Sequence, residues 1–587
     1  MIDYSRLESI ASSDTKGLMR TKDNRFTMLL HGRYVHSFYT CGREAARLVE
    51  HILPLERENT LVIFLGAGLG YHIEELEKEG FKNLIIIERD REIFSVFDKI
   101  YIRGDNSYVI SPDDEPSRLD TIITMLDIEK WKNIKTVSLR GSYERELYKP
   151  FEDRIERLLQ VKLGDFSTRL KFEEIWLINI IKNIGNLKSS GLVRQLFGKA
   201  VNVPVIVVSA GPSLKLSLNE INRFSDKCIV IAVDTALTPL YEAGIIPDFI
   251  YSLDSQVHNL NDFSMIGTDY LKRTRLIYDI VVNPELPAYF RGISGSGRIN
   301  TFTANTAHLD FDFNGNSYLI KNELVNWIES AGSLRIGDIE TGGSVSTSAF
   351  YFAYQMGGNP IMLTGQDLAY SYFCSHASST SHFYRIIAGT SRLKSLQDVF
   401  MGIMLSRRYI RTDPVNPQRG GGEKPGLYTD FVLKNFRGWF EESAKSIMRF
   451  NPEISLVNSS SGGSLIDNFQ NIGMTDYFNK NDYHKLDKEK LFDSMLIETG
   501  KTDKIISLLA PLHDYLVNLE ADRGIFNKIR NSEWKFLDKY FMRENMIFER
   551  YGNFDNNNVE RKLFRFIKAI EGASRTDAAH EGESNGL

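Results

Sequence analysis

Between Val205 and Ile221 the chain reads VIVVSAGPSLKLSLNEI. Four apolar residues end in a turn of small residues, and a helix-patterned stretch follows. Gly211 lets two backbones approach where a Cβ would intervene, Pro212 has no N–H to lose at a helix start, and Ser213 can cap the helix or donate to a ligand. Leu214 begins the helical pattern. A strand, a tight turn and a helix N-terminus in that order make an anion site, because free N–H groups and the positive end of the helix dipole point the same way. The same order also describes a plain strand-to-helix turn of any α/β domain. A second turn repeats the chemistry: Thr341, Gly342, Gly343 and Ser344 open an apolar helix that stops at Gly357 and Gly358. The strand Ile361 to Thr364 then runs into Gly365, Gln366 and Asp367. Asp234 in IAVDTAL and Asp254 in YSLDSQ also stand just past strands, where open α/β sheets bind their ligands. Each carboxylate alone could be a helix cap. Three of them, with a glycine turn and a second helix start, converge on one edge of one sheet.

The elements that must position these residues follow from periodicity. Short apolar runs at Val205 to Val208, Ile229 to Val233, Phe249 to Leu253, Leu276 to Val282 and Ile361 to Thr364 alternate with helical patterns, which predicts a mainly parallel sheet covered on both faces. An earlier α/β pattern begins at NTLVIFLGAGLGYHIEELEKEGFKNLIIIERD, with further strands expected at Ser107 to Ile110 and Thr121 to Leu126. Its Gly66, Gly68 and Gly70, with Glu88 ending the next strand, resemble the cofactor turn of methyltransferases and dinucleotide enzymes, a weak signal with no catalytic constellation beside it. The fold class is therefore α/β and multidomain: a Rossmann-like N-terminal domain over 1–147, connecting helices over 148–200, a doubly wound central domain over 201–480, a mainly helical C-terminal domain over 481–573 and a disordered tail over 574–587. RGGGEKPG, at Arg419 to Gly426, reads as a mobile loop.

Composition removes several classes of function. Lys and Arg total 71 against 76 Asp and Glu, so no basic excess exists to neutralise a nucleic-acid backbone. Cys41, Cys228 and Cys374 lie far apart without a disulfide or metal pattern, which fits a reducing cytoplasm. No apolar run is long enough for a bilayer, and the N-terminus lacks a signal-peptide pattern, so neither nucleic acid nor membrane is an expected partner. The histidines show no HExxH or comparable spacing, although Asp254 beside a phosphate could recruit a divalent cation.

Taken in order, SAGPSL, IAVDTAL, PDFIYSLDSQ, TGGSVSTSAFYFAYQMGG and TGQDLAY resemble the motility-associated factor (Maf) family, bacterial flagellin glycosyltransferases with a sialyltransferase-like central domain. The resemblance covers about Val203 to Asn468. It implies a glycosyltransferase-like central domain, a CMP-nonulosonic acid donor such as CMP-pseudaminic or CMP-legionaminic acid, and flagellin Ser or Thr hydroxyls as acceptor. It places Gly211, Pro212, Ser213, Leu214, Thr341, Gly342, Gly343 and Ser344 against the nucleotide. Gly365, Gln366, Asp367 and Tyr370 would complete the pocket, with Asn458 and Ser459 of NSSSGG closing it. A hydroxyl nucleophile needs a base. Related sialyltransferases carry a His before a Thr-Asp helix start, but here Leu427 and Tyr428 precede Thr429 and Asp430. His376 is the chosen base, with His382 as its substitute and Tyr428 or Asp254 also open. The C-terminal helices are a candidate groove for flagellin. Two rivals stay in view: a 6-hydroxymethylpterin pyrophosphokinase, needing ATP and magnesium, and a non-catalytic flagellin-binding module.

Overall fold

The computed structural model describes residues 1–13, 17–30, 32–104, 106–114, 118–119, 122, 131, 133–139, 145–294, 299–311, 317–370, 374–406, 428–493, 503–551 and 554–584. The glycine-rich loop at Arg419 to Gly426 and most of the strand expected at Thr121 to Leu126 lie outside them. The chain forms two compact units, Met1–Lys171 with Asp310–Tyr318, and Phe172–Leu309 with Leu319–Leu587. Among the described residues no helix is long and apolar enough to cross a membrane, and the three cysteines are unpaired and buried.

The first unit opens with a small antiparallel sheet of β1 (Leu18–Arg20), β2 (Phe26–Leu30) and β3 (Arg33–Tyr34), which sequence periodicity did not reveal. Its main sheet is parallel, ordered β6-β5-β4-β7, from β4 (Thr60–Leu65), β5 (Leu84–Ile87), β6 (Ser107–Ile110) and β7 (Asn133–Ser138). Every residue of β4 and β5 is buried, as the unbroken apolar runs demand of strands covered on both faces. Asp90 starts the helix Arg91–Ile100 by accepting from the N–H groups of Glu92 and Ile93.

One helix, Arg145–Leu187, fills most of the stretch where several connecting helices were expected. It gives way to β8 (Gly191–Leu192) and a short 3-10 helix at Val193–Leu196. The second unit is then built on β9 (Val205–Val208), β10 (Ile229–Val233), β11 (Phe249–Ser252), β12 (Arg275–Asp279), β13 (Thr301–Phe311), β14 (Ser317–Lys321), β15 (Asp338–Glu340), β16 (Ile361–Thr364), β17 (Leu456–Asn458) and β18 (Gln470–Asn471). Parallel pairing orders the sheet β13-β12-β11-β10-β9-β16-β17-β18. The chain winds outward from β9 through β10, β11 and β12, then returns to place β16 on the other side of β9. The winding therefore reverses between β9 and β16, and the carboxyl ends of those strands flank a crevice. The helix Val345–Gln355 packs on this sheet through Ala349, Phe350, Phe352 and Ala353, in a core shared with β9, β10 and β16.

The C-terminal helices, among them Asp503–Val517, Ile525–Arg530 and Asn556–Ser584, form a second core. Ile505, Leu509, Leu512, Phe566 and Ile570 pack there with Ile180 and Ile184 of the long helix and with Leu324 and Ile328. Their apolar faces are thus buried inside this unit. The last helix runs to Ser584, through residues expected to form a disordered tail; Ala, Arg and Glu in that stretch are good helix formers.

Candidate functional site

At the crevice between β9 and β16 lies a cleft of about 490 Å³. Loops after β9, β10, β11 and β16, the first turn of the helix Val345–Gln355 and the helix Ser381–Ala388 line it. Of the residues singled out in the sequence, the cleft lining includes Gly211, Asp234, Asp254, Gly343, Ser344, Gly365, Gln366, Asp367, His376 and His382. The two turns whose juxtaposition the CMP reading requires border the same space.

The turn after β9 is held by internal partners. The Gly211 N–H donates to the Gly365 carbonyl at 2.7 Å, and the Ser213 N–H donates to the Asp367 carboxylate at 2.8 Å. Ser213 Oγ donates to the same carboxylate. A Cβ on Gly211 would stand 2.4 Å from the Gly365 carbonyl oxygen, and one on Gly365, whose φ is +64°, 2.3 Å from the Ser209 carbonyl oxygen. These glycines therefore exist because two strand-to-helix turns cross in contact. The anion that the helix start at Ser213 attracts is Asp367 itself. Burial pushes its carboxyl up to about 6, against the hydrogen bonds from Ser213 that stabilise the charge.

Several residues expected against the nucleotide lie behind the lining. Leu214 is buried in the core under the sheet. Pro212 and Ser213 are not on the lining, Ser213 being buried, and Thr341 accepts the Gly343 N–H through its hydroxyl at 3.2 Å. Gly342 is pressed on Trp439, to whose ring a Cβ would come within 2.4 Å. Tyr370 donates its hydroxyl to Asp430, the N-cap of the helix Phe431–Phe450, and pairs its N–H with the Tyr428 carbonyl at 2.7 Å. Asn458 and Ser459 brace the turn after β16: Ser459 Oγ donates to the Leu363 carbonyl at 2.9 Å, while Asn458 accepts from the Ser460 N–H. Ser460 Oγ in turn accepts the Gln366 N–H at 2.9 Å. Tyr428 is not on the lining.

The second helix start remains directed at the cleft. Thr347 Oγ1 accepts the Gly342 N–H at 2.9 Å and donates back to the Ser344 carbonyl, which fixes the turn; Gly343 supplies the required φ of +89°. Gly343, Ser344, Val345 and Ser346 line the cleft. The N–H groups of Val345 and Ser346, in the first turn, have no intrahelical acceptor.

The opposite chemistry gathers past β10 and β11. Asp234 accepts from the Thr235 N–H and hydroxyl at 2.8 and 3.1 Å and from Ser252 Oγ at 2.8 Å, and Ser252 Oγ accepts from Asn259 at 2.8 Å. Burial, followed by the negative charge of Asp262, pushes the Asp234 carboxyl up to about 7. Asp262 is itself raised, chiefly by burial. Asp254 accepts the Gln256 N–H at 2.9 Å. The imidazoles of His376 and His382 stack with centroids 4.2 Å apart and planes 12° from parallel, and Ser375 Oγ lies 2.9 Å from His376 Nδ1. Sequence reading missed His258, Asn259, Asp262 and Arg385 on this lining. Arg385 had a usable signal, since it lies three and four residues beyond His382 and Ser381 on one helix face. Among the described residues no group of three or more His, Cys, Asp or Glu is placed to hold a metal ion.

The glycine turn of the first unit ends differently. The Ala67 and Gly68 N–H groups donate to buried Glu88 at 2.9 and 3.2 Å, and the Tyr148 hydroxyl donates to its other oxygen at 2.6 Å. The Leu69 N–H donates to His36 Nε2 at 2.9 Å. A Cβ on Gly68 would lie 2.4 Å from His36 and 2.8 Å from Leu139. The acidic residue that would hold a ribose in a dinucleotide enzyme is spent on the turn, and side chains fill the space above it.

Residues 7–97 match the family model described as the glycosyltransferase Maf N-terminal domain, and residues 178–373 match that of a 6-hydroxymethylpterin diphosphokinase MptE-like domain. An uncharacterized protein of Treponema pallidum (strain Nichols) is 25% identical over 417 residues, 67% of each chain. A second protein of that organism is 28% identical over 98 residues, 17% of this chain and 46% of its own. The structure of a Maf glycosyltransferase from Magnetospirillum magneticum AMB-1 superposes with a TM-score of 0.51 at 13% identity, covering 96% of this chain and 87% of that one. The chain thus carries a match to the Maf N-terminal domain at residues 7–97, a match to an MptE-like domain at 178–373, and the fold of a Maf glycosyltransferase.

Proposed function

We propose that the protein transfers a nonulosonic acid, of the pseudaminic or legionaminic type, from its CMP-activated form to Ser or Thr hydroxyls of flagellin, in the cytoplasm before the subunits are exported. The observation that carries this reading is the open cleft at the reversal of strand order, bordered at once by the turns of Gly211 and Gly365 and by the helix start at Gly343 to Ser346. The CMP phosphate belongs at that helix start, where the first-turn amides and the dipole favour an anion. The sugar then extends over the loops after β10 and β11.

In the reaction the acceptor oxygen bonds to the anomeric carbon as the bond from that carbon to the phosphate oxygen breaks. The electron pair leaves with CMP, and the acceptor proton passes to a base. Attack opposite the leaving group inverts the centre. His376 takes the proton in this reading, held beside His382 in a stacked pair. Asp254 is the second group on the lining able to do so.

The MptE-like match supports a second reading, diphosphate transfer from ATP to a hydroxymethylpterin. Intact-mass measurement of flagellin after incubation with the protein and a CMP-nonulosonic acid separates the two. The transferase reading expects a gain of one sugar residue with release of CMP, abolished by His382→Ala together with His376→Ala. ATP-dependent diphosphorylation of the pterin with unchanged flagellin would overturn it, and CMP binding without any transfer would leave a flagellin-binding module.

A further inference from the structure

The cleft has two halves of unlike charge. Past β16 the lining carries Asp367, whose carboxylate is taken up by Ser213, and the helix start at Gly343 to Ser346 adds main-chain amides and hydroxyls. Beside β10 and β11 it carries Asp234, Asp254 and Asp262, with His258 and Asn259 between them. β11 stands two strands from β9, which at ordinary sheet spacing is about 10 Å, enough to separate a nucleotide from the group attached to its phosphate. A neutral sugar in the second half would meet acceptors for its hydroxyls. A sugar bearing a carboxylate would meet Asp254 and, where they are ionised, Asp234 and Asp262, an arrangement that repels it unless a fixed cation intervenes.

Arg385 supplies that cation. It lies on the helix Ser381–Ala388, whose Ser381 and His382 also line the cleft, and it is the one Arg or Lys on the lining among the described residues. Its charge reaches Asp262, favouring the ionised carboxyl there. Among the described residues no carboxylate stands within ion-pairing distance of the guanidinium. A guanidinium matches a carboxylate with two parallel N–H donors, which an ammonium cannot do.

We propose that Arg385 selects an acidic sugar by pairing with the sugar's carboxylate in the β10–β11 half of the cleft; this rests on the CMP-sugar reading above. The residue is exposed at the helix surface, so its replacement leaves the core untouched. Calorimetric titration of the full chain compares CMP, CMP-N-acetylneuraminic acid and the methyl ester of that sugar carboxylate. Wild-type protein is expected to prefer the free acid to the ester by tenfold or more. Arg385→Gln is expected to bind CMP within twofold of wild type, to lose the preference for the acid, and to regain part of it as Arg385→Lys. Normal CMP binding with an unchanged acid preference in Arg385→Gln overturns the role of Arg385 and leaves the CMP reading standing, as does a wild-type protein that binds CMP without distinguishing acid from ester. A wild-type protein that binds no CMP removes both.

Discussion

Each unit of this protein carries a glycine turn after the first strand of a parallel sheet, at the point where strand order reverses, and the cleft of about 490 Å³ is bordered by the turn of the second unit. Both turns satisfy their own amides with a buried carboxylate: Glu88 takes those of Ala67 and Gly68, and Asp367 takes that of Ser213. The difference lies in what stands next to the turn. In the first unit His36 and Leu139 close on Gly68. In the second, a separate helix start at Gly343 to Ser346 opens beside the turn and leaves room for a ligand. A strand-glycine-helix pattern therefore reports close backbone packing, and the binding site depends on a second element that the pattern does not contain.

Breaking the two carboxylate clamps in parallel has the largest expected effect. Glu88 accepts backbone N–H groups on both oxygens, so Glu88→Gln sets an amide N–H₂ against a backbone donor whichever way it turns and should cost about 3 kcal/mol in chemical unfolding, whereas Asp367→Asn can turn its N–H₂ to Ser213 Oγ and should cost about 1 kcal/mol. Only Asp367→Asn should also abolish CMP binding, because only that clamp shapes a cleft. Equal loss of CMP binding in both would erase the distinction between the units. Next in size, Ser344→Glu puts a carboxylate at the helix start where the phosphate belongs. Titration should show CMP affinity down at least tenfold, about 1.4 kcal/mol, with little change in melting temperature. The smallest effect concerns pH. The Asp234 carboxyl is raised to about 7 in the folded chain, so its protonated form stabilises the fold fully at low pH and that stability is lost as pH rises through 7. Asp234→Asn should flatten the decline between pH 5 and pH 8 by on the order of 1 kcal/mol, read from urea unfolding at both values.

The sheet that carries the cleft was legible because its strands are unbroken apolar runs: those expected at Val205 to Val208, Ile229 to Val233 and Ile361 to Thr364 form with those bounds. β7, NIKTVS, escaped notice because four of its six residues are polar and its single buried position is Val137. Residues standing just past strands, such as Asp234, Asp254 and Asp367, could be assigned to the crevice from parallel-sheet geometry alone. Ser213, Tyr370 and Asn458 could not be told apart from them, since a residue that lines a cleft and one that braces its wall have the same types at the same spacing. Asp262 and Arg385 reach the lining from helices whose placement is set by tertiary packing, which one sequence does not encode in a local pattern.

Hydrogen-exchange mass spectrometry of the full chain, with and without saturating CMP, tests the nucleotide cleft most directly. Amides from Gly342 to Ser348 and from Gly365 to Tyr370 should slow on CMP addition, while those from Gly66 to His72 stay unchanged. Protection confined to Gly66 to His72, or none in either turn at a CMP concentration that calorimetry shows to be saturating, would contradict it.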